Sequence, residues 1–460
     1  MSDFSLGSEF PRPDHKDWVG LVEKTLKGAE FDERLISNTY DGLRVEPLYY
    51  GQPDTEELGE APYRRGAQDN SIQLCQSFAN PDIAQTNKEI LEDLAGGVTA
   101  IRLKIDDGVS GGIIIKDLSD LEQVLDGIFV EMLPVEIDAG ARANEFAALL
   151  TIFWQKQQVM EAVQGAFLID PIGLFAANSE ITGGIETALG HAALNAKDTS
   201  MLTPRVSALC ADMRKYHLNG ASEAQEIAIA TATGVAYLRA MEQQGLALDI
   251  AVGQISFLLN VDADVFLNIA KLRAFRELWS QVTTASGIKP YLAHIKLETA
   301  QRMMAAQDPW VNMLRVTTAC FAANVAGAQS VTIAPYTQAL GLPDGFGRRI
   351  ARNTHIVLNE EAHLSYVSDP AGGSWFIENL TDQLIEKAWT LFQEIEAEGG
   401  IVAALKSNMI QTKIAEVKTA RQSNIDSGKE VLVGVNKFVN PDEQPVSVFN
   451  PFIIPTEGEK

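Results

Sequence analysis

The sequence is poor in the features that mark most specialised classes of protein. Its three cysteines, Cys75, Cys210 and Cys320, are widely spaced and odd in number, which excludes a disulfide framework and gives no zinc pattern. Its six histidines, His15, His191, His217, His294, His355 and His363, show neither H-x-H nor H-E-x-x-H spacing, so no metal site is expected. Apolar runs are short: 112-GIII-115 and 255-ISFLLNV-261 fall far below the roughly 20 residues of a membrane-spanning helix. The stretch MSDFSLGSEFPRPDHKDW lacks the basic, apolar and small-residue succession of a signal peptide. Positive charge is scarce too, with 37 Lys+Arg against 61 Asp+Glu and a formal charge of −24. Such a polyanion repels phosphate and no basic patch reverses its field, so neither nucleic acid nor anionic membrane is an expected partner. The chain reads as cytoplasmic. Glycine is plentiful, but the pairs at 96–97, 111–112, 183–184, 372–373 and 399–400 form neither G-x-G-x-x-G nor a P-loop, and read as turns and helix caps.

What is present is a repeating alternation. Residues 1–65 hold one amphipathic helix, about Asp17 to Leu26, with Trp18, Leu21, Val22 and Leu26 on one face, then a turn at 39-TYDG-42. This segment reads as an N-terminal arm that must pack on another domain or chain. Over residues 66–365, short β-rich runs alternate with amphipathic helices. The strands are expected at 71–78, 99–105, 129–138, 167–170, 205–213, 250–259, 289–296 and 330–336. Eight strand-then-helix units predict an α/β fold, an eight-stranded parallel β/α (TIM) barrel, rather than an open doubly wound sheet. Residues 366–460 read as a C-terminal helical extension: a turn at 369-DPAGGS-374, helices near 382–398 and 402–423, then over 431–460 a short strand followed by a proline-rich tail.

Barrel chemistry belongs at the carboxyl ends of strands. There the expected strands place His294 with Lys296, and Tyr216 with His217. A histidine at such a position serves as general acid, and a lysine as Schiff-base nucleophile; against this, neither pair sits in a defining motif. Arg348, Arg349 and Arg352 on one helix suit a phosphate or carboxylate, yet such arginines more often pair with nearby carboxylates, here Glu360, Glu361 or Asp369.

Four stretches carry a resemblance. They are 18-WVGLVEKTLKGAEFDERLISNTYDGLRVEPLY-49, 269-IAKLRAFRELW-279, 307-QDPWVNMLR-315 and the long run RRIARNTHIVLNEEAHLSYVSDPAGGSWFIENLTDQLIEKAWTLFQEIEAEGG at 348–400. Matched in order across nearly the whole chain, they resemble the methylmalonyl-CoA mutase family. The resemblance implies an adenosylcobalamin-dependent isomerase that interconverts methylmalonyl-CoA and succinyl-CoA. In such an enzyme the cofactor carries the radical step, while the protein threads the CoA arm through the barrel and excludes water.

The segments that touch substrate in that family are altered here. A Y-x-x-R-P-W-T-I-R-Q-Y-A-G-F segment precedes and enters the first barrel strand of catalytic members, where this chain has 63-YRRGAQDNSIQLCQSF-78. A G-Y-H-M-Q-E-A-G-A segment, aligned on Gly220-Ala221, puts the family tyrosine and histidine on Arg214 and Lys215, with Tyr216 and His217 two positions late. An L-R-x-H-x-Q-T-S-G segment appears as 292-LAHIKLETA-300, keeping His294 but placing Lys296 where glutamine stands. Scaffold segments kept and substrate segments lost resemble the small, non-catalytic subunit of heterodimeric mutases. No catalytic residue is then expected, and Tyr216, His217 and His294 are the candidates were the chain active. The implied partner is a catalytic large subunit, wrapped by the arm, with a CoA thioester in a degenerate pocket as a further ligand. Family chains that hold cobalamin continue into a domain with D-x-H-x-x-G; that motif is absent and 460 residues leave no room for the domain. Adenosylcobalamin is expected to enter the complex through the large subunit, with no cofactor on this chain. Two alternatives compete: a catalytic acyl-CoA mutase chain served by a separate cobalamin-binding protein, and an unrelated Schiff-base aldolase acting through Lys296.

Overall fold

A computed structural model describes residues 14–50, 64, 72–109, 111–177, 181–289, 291–446 and 448–451. The chain divides into two compact units, Met1–Thr55 and Glu56–Lys460.

In the first unit a helix spans His15–Leu26. It starts two residues before the expected Asp17 because Asp14 caps it: the Asp14 carboxylate accepts from Asp17 N at 2.8 Å, and the Asp17 carboxylate accepts from Asp14 N at 3.3 Å. This reciprocal capping box satisfies two of the otherwise unpaired donors. The turn at 39–42, with Gly42 at φ 72°, joins two short antiparallel strands, Ser37–Asn38 and Arg44–Val45. His15 stacks on Trp18 and on Tyr50, so this unit closes on its own rings.

The second unit is a closed barrel of eight parallel strands: β1 (Gln73–Phe78), β2 (Ala100–Lys104), β3 (Val135–Asp138), β4 (Gly165–Ile169), β5 (Val206–Asp212), β6 (Ile255–Val261), β7 (His294–Thr299) and β8 (Ser330–Thr332). Each strand pairs with the next in sequence, and β8 returns to β1. Helices used below are α1 (Ile83–Ala95), α2 (Arg214–Leu218), α3 (Glu223–Gln243), α4 (Val265–Ala285), α5 (Val311–Ala326), α6 (Gly345–Ile356), α7 (Trp375–Ala397) and α8 (Met409–Asp426).

Side chains alternate along each strand, and here the alternation is inverted from the usual apolar barrel interior. The outward residues are apolar and meet the helices: Phe257 packs edge-on against Phe275 and Trp279 of α4, and Phe167 stacks on Trp154. The inward residues are small or charged, including Cys75, Arg102, Glu136, Cys210, Ser256 and Lys296, all buried. One wall is the exception, where Ala166, Leu168, Cys210 and Leu258 form an apolar cluster. Leu168 reaches it from a left-handed conformation, φ 47°, at an irregularity in the β4–β5 register. Gly165 permits the β3–β4 pairing, since a Cβ there would lie 1.8 Å from Val135 O.

Several expected boundaries shift. Residues 129–134 form a loop and β3 begins only at Val135 after Pro134; residues 248–254 are helical, so β6 starts at Ile255. Most consequentially, β7 runs His294–Thr299 rather than 289–296. The polar–apolar alternation of HIKLET continues to Thr299, so the expected end at Lys296 falls in the middle of the strand. Past the barrel, the expected 402–423 helix is broken into Ile401–Lys406 and α8 by Asn408 at φ 61°. The short strand expected at the start of 431–460 is a single bridge, Val433 to Lys437, while Phe449–Pro451 pairs with Gly341–Leu342.

Candidate functional site

Ion pairs cross the barrel lumen and climb toward the carboxyl ends of the strands, where the chemistry of this fold gathers. Lys296 on β7 donates from Nζ to Glu136 Oε1 on β3 at 2.5 Å. These strands are four apart in a ring of eight, so the pair spans the full width of the barrel. Arg102 on β2 donates from Nε to Glu136 Oε2 at 2.7 Å and from Nη1 to Glu298 Oε2 of β7 at 2.6 Å. Above them Arg214, the first residue of α2, reaches Asp138 at 2.8 Å, Asp212 at 2.7 Å and Glu298 at 3.3 Å. Three cations thus hold four carboxylates, and Lys104 adds positive charge beside Asp138.

Burial governs the electrostatics of this ladder. The Arg102 and Glu136 side chains are fully buried and Lys296 nearly so, whereas Arg214, Asp138, Asp212 and Glu298 keep about a fifth to a quarter of their surface. Burial alone would favour the neutral acid of Glu136, but Lys296 and Arg102 outweigh it and hold that carboxyl at about 2. Asp138 is likewise depressed, because Arg214 overrides its burial. Burial, reinforced by the Glu136 charge, outweighs Arg102 and Lys296 at Cys75, whose thiol donates to Glu136 at 3.8 Å and is pushed up to about 12.

The sequence candidates separate. His294 does not follow a strand; it opens β7 at the amino end of the barrel, opposite the end where barrel chemistry gathers. Burial, reinforced by Lys296, lowers its pKa to about 3 and leaves the ring neutral. Lys296 lies mid-strand, and its ammonium bound to Glu136 is no Schiff-base nucleophile. His217 is buried: Nδ1 meets Glu226 of α3, which also binds Lys271 of α4 at 3.2 Å, and Nε2 lies 4.0 Å from Asp262. Burial lowers its pKa although Glu226 pulls the other way. Tyr216 is buried beside Asp170 and Asp212, which with burial drive its phenol well above the ordinary range. Asp170 itself, capping the helix Pro171–Ala176, is raised to about 6 by burial despite the bond from Tyr237. The structure does not bring Tyr216, His217 and His294 together on one reacting centre.

Arg348 and Arg352 are structural, but not through the expected Glu360, Glu361 or Asp369. Arg348 holds Asp93 at 3.1 Å and Glu89 at 3.2 Å, and Arg352 holds Asp93 at 2.5 Å, tying α6 to α1. Gly96 makes room, since a Cβ there would strike the Arg352 guanidinium. Asp369 instead pairs with Arg273. Sequence reading missed Arg102, Glu136, Asp138 and Glu298; the signal was available in AIRLK, VEID and HIKLET, where charge occupies every second strand position. Among the described residues no group of three or more His, Cys, Asp or Glu is placed to hold a metal ion, and no helix is long and apolar enough to cross a membrane.

Comparison with known proteins adds kinship to this geometry. Residues 35–451 match the sequence profile of the family described as methylmalonyl-CoA mutase. A "Methylmalonyl-CoA mutase small subunit" of Streptomyces virginiae is 40% identical over 459 residues, covering 96% of this chain and 73% of that protein. One of the same name from Propionibacterium freudenreichii subsp. shermanii is 33% identical, over 94% of this chain and 70% of that protein. A "Probable methylmalonyl-CoA mutase small subunit" of Mycobacterium bovis is 35% identical, over 90% and 68% respectively.

Proposed function

The chain belongs to the methylmalonyl-CoA mutase family, and from that premise we propose that it is the small, non-catalytic subunit of an adenosylcobalamin-dependent mutase interconverting methylmalonyl-CoA and succinyl-CoA. Its work is to stabilise a catalytic large subunit, with the arm at residues 1–65 reaching that partner. The observation that carries the non-catalytic reading is the Lys296–Glu136 pair, which spans the lumen between opposite strands. A CoA arm threaded along the axis would have to part it, stranding two buried charges at a cost of about 3–5 kcal/mol. The alternative, a catalytic chain served by a separate cobalamin protein, needs that axis open.

When bound, adenosylcobalamin supplies the radical that starts family catalysis. The carboxylates at this barrel's mouth do not suit it: Asp138, Asp212 and Glu298 are all committed to Arg214, which keeps those three from the corrin's amide side chains. We therefore assign the cofactor to the large subunit and no cofactor to this chain. Three buried, unpaired cysteines support a cytoplasmic setting.

Co-expression with the large subunit tests the reading. The expected outcome is a 1:1 complex whose obligate interface buries more than about 2,000 Å², with turnover only when the large subunit is present. Turnover by this chain with a cobalamin protein and no large subunit would overturn it.

A further inference from the structure

The turn at 213–222, which carries Arg214, is gripped from two sides. On the outside, Arg421 of α8 donates to Gly220 O at 2.9 Å, and Gln225 Nε2 donates to Lys413 O of α8 at 3.0 Å. Gly220, at φ 114°, lies so near α8 that a Cβ would sit 2.7 Å from Lys418 Cβ. On the inside, Arg302 donates to His217 O and Ala221 O, both at 2.9 Å. The free end of this held turn is Arg214, spread over Asp138, Asp212 and Glu298 at the barrel mouth.

We propose that α8 is a strap: by fixing the 213–222 turn it holds Arg214 across the mouth, and the lumen opens only when α8 lets go. On its inner side the turn is held by Arg302, by Met213 N donating to Leu258 O at 2.9 Å and by the contact of His217 with Glu226; Arg421 of α8 adds the hold on Gly220 from outside the barrel. Helix α8 lies in the C-terminal extension and contributes no strand or inward side chain to the barrel, so the strap is separable from the fold it closes.

The barrel contains its own reporters. Cys75 on β1 and Cys210 on β5 face the lumen from opposite strands, while Cys320 is buried on α5, outside the barrel; all three are free. Modification of the full-length chain by N-ethylmaleimide, mapped by mass spectrometry alongside hydrogen exchange, reads the strap directly. In Arg421→Ala, Cys75 and Cys210 should react about tenfold faster than in the wild type, with Cys320 unchanged and exchange at 213–222 accelerated; a shift of this size corresponds to the loss of one charge-assisted hydrogen bond. Arg421→Lys should restore most of the protection. Arg214→Ala should expose the same two cysteines without loosening the turn. The proposal is overturned if Arg421→Ala leaves the lumen cysteines as protected as in the wild type, or if all three cysteines accelerate together, which would mean general loosening.

Discussion

Two regions of this barrel are built from buried ion pairs, and they use them for opposite ends. Around α4, charges fasten elements far apart in sequence. Arg273 binds Asp369 and Glu378; Arg64 binds Glu277 at 2.5 Å, Glu378 at 2.7 Å and Asp382 at 2.7 Å; Arg276 donates to Ala326 O and Gly327 O, both at 2.6 Å, closing the carboxyl end of α5. In the lumen, Lys296, Arg102 and Arg214 fasten strands across a space. The outer network draws on 269-IAKLRAFRELW-279 and 369-DPAGGS-374, the stretches that resemble the family's scaffold. The inner network draws on Arg214 and 292-LAHIKLETA-300, the stretches that depart from its substrate contacts. Charges in the shell fasten one element to the next, whereas charges in the lumen fill the axis of the barrel.

The largest expected effect comes from breaking the lumen. Glu136→Ala leaves Lys296 and Arg102 buried without their shared carboxylate and should cost about 3–5 kcal/mol in chemical denaturation. Replacing all three residues together with apolar side chains, as in Glu136→Leu, Lys296→Met and Arg102→Leu, should bring stability back to the wild-type level or above it. A cost below about 1 kcal/mol for Glu136→Ala would mean the lumen is not a core.

Acid should act on the same group. The folded-state pKa of Glu136 is depressed from 4.5 to about 2, so its contribution is complete above the unfolded value and is lost as pH falls through the window between those two. The size is about 3 kcal/mol, and a Glu136→Gln variant should flatten that part of the stability–pH curve. A parallel decline in both proteins would assign acid sensitivity to other groups.

The shell should be the more tolerant region. Arg273→Ala frees the 369–374 turn, but Glu378 keeps Arg64, so the expected cost is about 2 kcal/mol, with faster hydrogen exchange confined to that turn and to the start of α7. Least of all, Arg44→Ala removes exposed pairs to Asp32 and Glu46 in the first unit. It should leave the unfolding midpoint unmoved, because solvent screens such pairs.

The contrast also separates what a sequence displays from what it conceals. Strands such as β2 and β7 were legible because their outward residues, Ile101, Leu103, Ile295 and Leu297, alternate with polar ones, and alternation is local. The site was legible only through loss of the family's segments. That Lys296 meets Glu136 was not, since 160 positions separate them and only barrel closure brings β7 opposite β3. The boundary of β7 misled for a related reason: stopping the strand at Lys296 made a mid-barrel lysine look like a rim residue. His217 likewise reads as a loop histidine until α3 and α4 fold Glu226 and Lys271 against it.

Equilibrium binding of methylmalonyl-CoA to the isolated full-length chain tests the blocked axis most directly. Titration calorimetry should show no saturable binding up to millimolar ligand in the wild type. Stoichiometric binding in that range, lost or weakened when a bulkier side chain is placed in the lumen at Cys210, would contradict a lumen filled by the protein's own charges.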